Sequence, residues 1–244
     1  RVPRNPLENL YIFAGGTYTM YKNFFGHEGY DDGAVAPEAQ VQKSVYLVNE
    51  KCPNAYWDGT STNYCPGFDG DDVVSHEWSH AYTEYTHGLV YQWQSGALNE
   101  HFADVFGVLV RQWKNRENAA KAGWVIGREV LVPAPTRRGV RDMEHPGRAF
   151  AHDPYLGTDP QPAHMSKLYE GQSDNGGVHI NSGIPNRAFV LSAKQLGGNA
   201  WDAAGRIWYD AMLRLPRRCE FQECAELCVQ MAAAIGEDAA DAVR

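Results

Sequence analysis

The stretch that most constrains this chain is Asp71-Asp72-Val73-Val74-Ser75-His76-Glu77-Trp78-Ser79-His80-Ala81-Tyr82, which contains a His-Glu-x-x-His motif. Residues four apart share one face of an α-helix, so His76 and His80 can present both imidazoles to one cation if the stretch is helical. Glu77 lies one step round, close enough to reach a water beside that cation. The flanks predict a helix: Asp71 or Asp72 as N-cap, an apolar face of Val73, Val74, Trp78, Ala81, Tyr82 and Tyr85, and Gly88 as a stop. Two imidazoles do not complete a catalytic zinc site, which usually takes three protein ligands and leaves a position for water.

A third ligand is expected downstream. A second helix is predicted over Ala97 to Lys114, and it carries Asn99-Glu100-His101-Phe102-Ala103-Asp104. Glu100 follows His80 by 20 residues. That gap lets one helix end, a loop turn, and an antiparallel helix bring a carboxylate to the same metal. Asp104 is one turn further on the same face, placed to accept the N–H of a ligating imidazole and fix its tautomer. The alternative, a solvated acidic face, sits poorly with the flanking Leu98, Phe102, Val105 and Phe106.

Composition narrows the function classes. The chain has 244 residues, 43% of them apolar, and a net charge of −8. That size and apolar content suit one large domain or two smaller ones, and the acidic balance argues against a nucleic-acid partner, which wants a basic surface. No apolar run approaches the roughly 20 residues of a membrane span. The chain opens on Arg1-Val2 and is expected to be a mature, processed or excised piece, so the lack of a leader carries no weight. Cys52 and Cys65 flank a loop rich in Pro and Gly and are expected to form a short-loop disulfide, hence an oxidising compartment. Cys219, Cys224 and Cys228 cluster; either two of them pair, or all three are buried thiols.

In chain order, residues 6–25 read as a buried helix containing Gly15-Gly16, and residues 26–40 as a polar loop. Residues 41–50 read as a strand around Val45-Tyr46-Leu47-Val48, and Asn54 to Trp57 as a second extended piece closed by Asp58-Gly59. Residues 58–71 are expected to be loop. The proline-rich stretch 133–165 is expected to be irregular but ordered. Helices are predicted over Asn186 to Leu196, Trp201 to Leu215 and Glu220 to Ile235. No internal repeat is visible. The first part is mixed α and β and the rest mainly helical, which predicts two lobes with the motif helix between them.

With these residues in view, the chain resembles the thermolysin family of zinc metalloendopeptidases. Three blocks carry the resemblance: residues 72–92, the run Gly96–Gly107, and Asp174-Asn175-Gly176-Gly177-Val178-His179-Ile180-Asn181-Ser182-Gly183. Weaker similarity extends from Leu10 to Trp57 and on to Leu213. The resemblance implies zinc held by His76, His80 and Glu100, with Glu77 as general base. It implies that His179, positioned by Asp174, and Tyr91 stabilise the oxyanion. It matches Arg141 and Asn99 to residues that contact substrate, and Asn54 and Ala55 to an edge strand that pairs with extended peptide. The family's calcium site beside the motif helix draws several carboxylates. Asp72 fits one of them, but Arg111 and the run Trp124–Arg128 stand where others belong, and calcium wants about six to eight oxygens. The calcium site is therefore expected to be lost or weak.

The fold class expected is α+β, a zincin-type two-lobed metalloprotease. A partial mixed lobe spans residues 1–88 and ends in the zinc-binding helix; a mainly helical lobe spans 89–244. The function expected is a secreted, extracellular zinc endopeptidase, monomeric, preferring a bulky apolar residue just after the cut. Protein or peptide substrates, no nucleic acid, no membrane, and an inhibitory propeptide in the precursor go with it. The family carries a β-rich stretch before the point where this chain begins and a longer loop between Trp57 and Asp72. The rival reading is therefore a truncated zinc domain that binds extended peptides with little or no turnover.

Overall fold

In the computed structural model, which describes residues 5–33, 42–47, 54–131 and 134–244, helix α1 spans Pro6–Met20. Asn5 caps it, its side chain accepting from Leu7 N at 3.0 Å, and Pro6 sits at the first turn, where a missing N–H costs nothing. The helix expected over 6–25 changes pitch at its end: Tyr21–Phe25 form a π-helical turn closed by Gly26 at φ 72°. Its burial is one-sided. Leu7 and Tyr11 are exposed, whereas Leu10, Ala14 and Tyr21 point inward.

Three short strands follow: β1 (Ser44–Tyr46), β2 (Ala55–Trp57) and β3 (Thr62–Tyr64), in the order β1-β3-β2. β1 runs parallel to β3, and β2 antiparallel to it. The strand expected over 41–50 is seen at 44–46; Val41 and residues 48–50 lie outside the described residues. So does Cys52, and with it the expected pairing to Cys65. β3 corrects the reading of 58–71 as loop. The turn before it is built on Asp58, whose carboxylate accepts from Thr60 N at 2.9 Å and Ser61 N at 2.8 Å, while Asn63 donates to it from the strand. Three residues are too few to show an alternating pattern.

Helix α2 (Asp71–Thr86) carries the motif. Its N-cap is Gly70, not Asp71 or Asp72. Both aspartates occupy the first turn. Asp72 pairs with Arg111 and accepts from Gly127 N. Tyr85, assigned to the apolar face, is 52% exposed. The helix ends at Thr86, and Gly88 turns left-handed just beyond, at φ 58°. Helix α3 (Trp93–Asn115) begins four residues earlier than Ala97. It packs antiparallel to α2 at close range because Gly107 lies at the crossing. A Cβ there would sit 2.7 Å from Asp72 O and 3.2 Å from His76 N.

Beyond α3, two-residue strands β4 (Val125–Ile126) and β5 (Arg141–Asp142) pair antiparallel. Nothing in sequence marks so short a pair. The stretch from 134 on is irregular, as expected, and buried carboxylates order it. Asp153 accepts from Thr136, Arg137 and the backbone N–H groups of Tyr155 and Leu156. Asp159 accepts from the backbone of Gly147, Ala149 and Gln161.

Five helices complete the chain: α4 (Ser173–Asn181), α5 (Gly183–Leu196), α6 (Ala203–Met212), α7 (Phe221–Ala233) and α8 (Glu237–Val243). α6 and α7 are shorter than predicted, and α8 was not expected because its acidic and alanine-rich sequence shows no apolar period. Cys219, Cys224 and Cys228 are all free, buried thiols. The core joins α2 and α3 to α1, α5 and α6 through Trp78, Tyr82, Phe102, Phe106, Phe189 and Trp208. Tyr21 stacks on Tyr82 with centroids 3.7 Å apart. The motif helix is thus held on rigid, buried elements, and only one flank of it faces a cleft.

Candidate active site

The cleft has a volume of about 1040 Å³, and its lining includes β2, the flank of α2 from Val73 to Thr86, the turn at Gly88, Tyr91, Arg141 and His179. Among the described residues, His76, His80 and Glu100 have ligand atoms that all lie within 4.8 Å of one another. The two Nε2 atoms face each other at 3.0 Å. Glu100 reaches His80 Nε2 at 3.3 Å and His76 Nε2 at 3.5 Å.

The partners of the other ring nitrogens fix the tautomers. His76 Nδ1 lies 2.9 Å from Asp104 Oδ1 and His80 Nδ1 lies 2.6 Å from Asn99 Oδ1. Both partners are acceptors, so in the neutral rings both protons sit on Nδ1 and both Nε2 lone pairs point at one spot. Two lone pairs and a carboxylate converging there repel unless a cation lies between them. Glu100 Oε2 is in addition buried without a hydrogen-bond partner. These donors, two imidazole nitrogens and a carboxylate oxygen, are the set that zinc takes in catalytic sites, and the residues present fit the ion.

The surrounding charge favours a cation as well. Glu77, Glu100 and Asp104 are three buried carboxyls, and Arg141 is the guanidinium among them. Burial opposes charge on His80, yet Glu100, Glu77 and Asn99 outweigh it and raise the imidazole to about 9. Burial would likewise raise Glu100, but the imidazoles of His179 and His80 hold it well below the ordinary range. Asp104, opposed by burial, is kept at about 2 by Arg141 and His76.

Across the cleft, His179 Nε2 lies 3.2 Å from the Tyr91 hydroxyl and 3.3 Å from Glu100 Oε1. Its Nδ1 lies 2.7 Å from Asp174 Oδ1, and its backbone N–H donates to Asp174 Oδ2. Asp174, Asn175, Gly176 and Gly177 all have positive φ and make one left-handed turn, which folds Asp174 back under His179. A Cβ on Gly176 would run into the Trp93 ring. Burial opposes charge on His179, but Glu100 and Asp174 overcome it and push the imidazole up to about 10. The Tyr91 hydroxyl donates to Glu100. Burial and Glu100 push that phenol far up, so it remains a donor.

Each of the anticipated site residues is accounted for. His76, His80, Glu100, Glu77, Tyr91, His179, Asn54, Ala55, Asn99 and Arg141 all line the cleft. Asp104 and Asp174 lie directly behind His76 and His179. Two of them also have protein partners within the site. Arg141 donates to Asp104 at 2.6 and 3.1 Å, and Asn99 presents its oxygen to His80. At Asp72, the Arg111 guanidinium also donates to Val125 O and Gly123 O, so a positive side chain sits in an oxygen-rich nest. Asn186, which donates to Asp104 Oδ2 at 2.8 Å, was not anticipated; no motif spacing ties α5 to the site.

Two family models match the chain: the thermolysin metallopeptidase catalytic domain over residues 9–84, and the thermolysin metallopeptidase alpha-helical domain over residues 87–244. The chain is 40% identical over 238 residues to an extracellular metalloprotease of Pectobacterium carotovorum subsp. carotovorum, covering 93% of this chain and 67% of that protein. It is 42% identical over 238 residues to Protease PrtS of Photorhabdus sp. (strain Az29), covering 93% of this chain and 62% of that protein. It is 35% identical over 241 residues to a thermolysin of Alicyclobacillus acidocaldarius subsp. acidocaldarius, 41% of whose length it spans. Among solved structures, it is similar to the precursor of protealysin, a metalloproteinase from Serratia proteamaculans. The TM-score is 0.91 and the identity 36%, over 100% of this chain and 77% of that one.

Proposed function

The chain belongs to the thermolysin metallopeptidase family, and from that premise we propose that it is a zinc endopeptidase whose centre is His76, His80 and Glu100. The observation that carries the reading is the convergence of the His76 and His80 Nε2 atoms, 3.0 Å apart, on the buried Glu100 carboxylate. A zinc ion held there would polarise a peptide carbonyl and lower the pKa of a nearby water.

The remaining steps belong to the chain's own side chains. Glu77, buried and adjacent to His76 on α2, takes the proton of the attacking water and returns it to the leaving nitrogen. His179 and Tyr91 donate to the oxygen on which negative charge develops. Asp174 holds His179 by Nδ1 and keeps Nε2 aimed at the cleft. β2 is an edge strand, so Asn54 and Ala55 offer main-chain groups to an extended substrate. Asn99 orients His80 and Arg141 neutralises Asp104, each from the wall of the cleft. Residues 1–88 and 89–244 are read as the two lobes that bound it.

Substrates are read as peptides with a bulky apolar residue just after the cut. Support comes from Val73, Ile126 and Val140, which line the cleft toward the N-terminus of α2. Action outside the cell, as a monomer released from an inhibitory propeptide, is part of the same reading. Its support is the extracellular and precursor relatives. No calcium is assigned to Asp72, because Arg111 already supplies positive charge there.

Cleavage of a quenched peptide library tests the reading. Hydrolysis should be abolished by a chelator, restored by zinc, and lost in Glu77→Ala although that variant still holds one zinc. Glu77-independent hydrolysis, or a folded protein that binds no zinc, overturns it.

A further inference from the structure

Behind the ligand His76 runs a single file of buried hydrogen bonds that crosses four helices. Trp208 Nε1 on α6 donates to His101 Nε2 on α3 at 2.9 Å. His101 Nδ1 and Asn186 Oδ1 on α5 are 2.8 Å apart. Asn186 Nδ2 donates to Asp104 Oδ2 at 2.8 Å, and Asp104 Oδ1 lies 2.9 Å from His76 Nδ1 on α2. His101, Asn186 and Asp104 are fully buried, and Trp208 nearly so.

The direction of the file is fixed from its far end. An indole nitrogen can only donate, so His101 must accept at Nε2 and carry its proton on Nδ1. That proton can go only to the Asn186 oxygen, which turns the amide so that its NH2 faces Asp104. Asp104 can only accept, and with Oδ2 tied to Asn186 its Oδ1 is left for His76 and Arg141. Without Asn186, the carboxylate is free to rotate onto Arg141, whose two bonds of 2.6 and 3.1 Å compete with His76 for it. His76 would then lose the partner that holds its proton on Nδ1 and its lone pair on the metal.

We propose that Asn186, His101 and Trp208 are positioning residues for the metal ligand His76, acting through Asp104, with the Trp208 N–H setting the polarity of the whole file. This rests on the zinc reading above, and it extends the machinery of that site to two helices that never reach the cleft. The indole is itself held edge-on against Phe189 at a centroid distance of 5.0 Å, so the donor that starts the file is fixed by core packing.

The experiment is competition for zinc between a chromogenic chelator and three purified proteins: parent, Asn186→Ala and Trp208→Phe. Near-UV circular dichroism and the melting temperature of the metal-free form are measured beside it. Loss of a group that orients a ligand typically weakens metal binding by about 10- to 100-fold, and that is the expectation for Asn186→Ala. Trp208→Phe keeps the ring and removes one neutral donor, so about two- to tenfold weaker binding is expected. A purely structural role would lower the melting temperature while leaving the zinc dissociation constant at the parent value. That result in both variants overturns the proposal, and in Trp208→Phe alone it overturns the reach of the file to α6. If Asn186→Ala does not fold, Trp208→Phe decides. A folded parent that holds no zinc overturns both this inference and the reading beneath it; a zinc-binding parent with unchanged variants overturns only this one.

Discussion

Asp104–His76 and Asp174–His179 are the same two chemical groups at nearly the same separation, 2.9 and 2.7 Å, in opposite settings. In the first pair the side chains are 0% and 7% exposed; in the second they are 25% and 50% exposed. Inside, every lone pair on Asp104 has to find a protein partner, so Arg141 and Asn186 close round it. The imidazole it holds is turned so that Nε2 meets His80. At the rim, Asp174 leaves part of its surface to water, and the imidazole it holds faces the cleft with a proton available. Backbone follows the same division. The inner pair sits on two regular helices brought together by Gly107. The outer pair needs a left-handed turn in which Asp174 and Asn175 hold positive φ without being glycine, a local cost that persists where the surroundings enforce it. On the proposed reading, the buried dyad fixes the ring that would hold the metal, and the exposed one keeps a donor turned to the cleft.

The sharpest way to break this contrast is to remove the acid from the inner pair. Asp104→Ala leaves Arg141 and His76 buried without their common partner. Breaking a buried ion pair from one side costs roughly 3–5 kcal/mol, so urea denaturation of the metal-free variant should show a loss of that size, with zinc retention falling too. An Asp104→Ala protein as stable as its parent would erase the distinction between interior and rim.

At the rim, His179→Ala should do the reverse. In the zinc-loaded protein, where the ion rather than His179 balances Glu100, stability should fall by no more than about 1 kcal/mol. The turnover number should drop about 10²- to 10³-fold, the usual effect of deleting an oxyanion donor, with zinc still bound. Parallel steady-state kinetics and thermal melts read both numbers. A large loss of stability with little loss of turnover would make His179 a structural residue and end the comparison.

The two pairs also differ in how far sequence reveals them. His76, His80, Glu100 and Asp104 obey helical spacing on two helices, so their meeting at one place was legible from residue number, and the zinc reading followed from the family pattern. The helix starts were less so. Gly70 caps α2 although Asp71 and Asp72 are the better cap formers, because Asp72 is drawn to Arg111 and Gly127, a tertiary partner with no local trace. His179 and Asp174 were legible only through the family pattern, since a left-handed turn of Asp-Asn-Gly-Gly has no period to read. β3, β4 and β5 escaped because two or three residues cannot display alternation. Asn186, His101 and Trp208 escaped for a different reason. Each looks like an ordinary interior polar or aromatic side chain, and only three-dimensional contact lines them up.

A third carboxylate sharpens what burial alone does. Asp71 is 6% exposed, close to Asp104 in burial but unlike it in partners. Its carboxylate accepts from Asp72 N at 2.8 Å. Burial and the adjacent Asp72 charge push it up from 3.8 to about 6, and Arg111, committed to Asp72 and two carbonyls, offsets this only in part. Asp104, with Arg141 and His76 against it, goes down to about 2. The sign of the consequence follows. A carboxyl whose folded pKa is raised binds its proton more tightly in the folded state. Its stabilising contribution is full below 3.8, the unfolded value, and is lost as pH rises through about 6. Ionised Asp71 then costs folding roughly 1–3 kcal/mol at neutral pH. Asp71→Asn keeps the oxygen that accepts from Asp72 N and carries no charge. It should therefore match the parent in urea denaturation near pH 4, gain stability as pH rises, and hold a constant gain above about pH 7. A difference that does not change across that range would mean that burial is not what raises Asp71, and that the partners of Asp104 are not what separates the two.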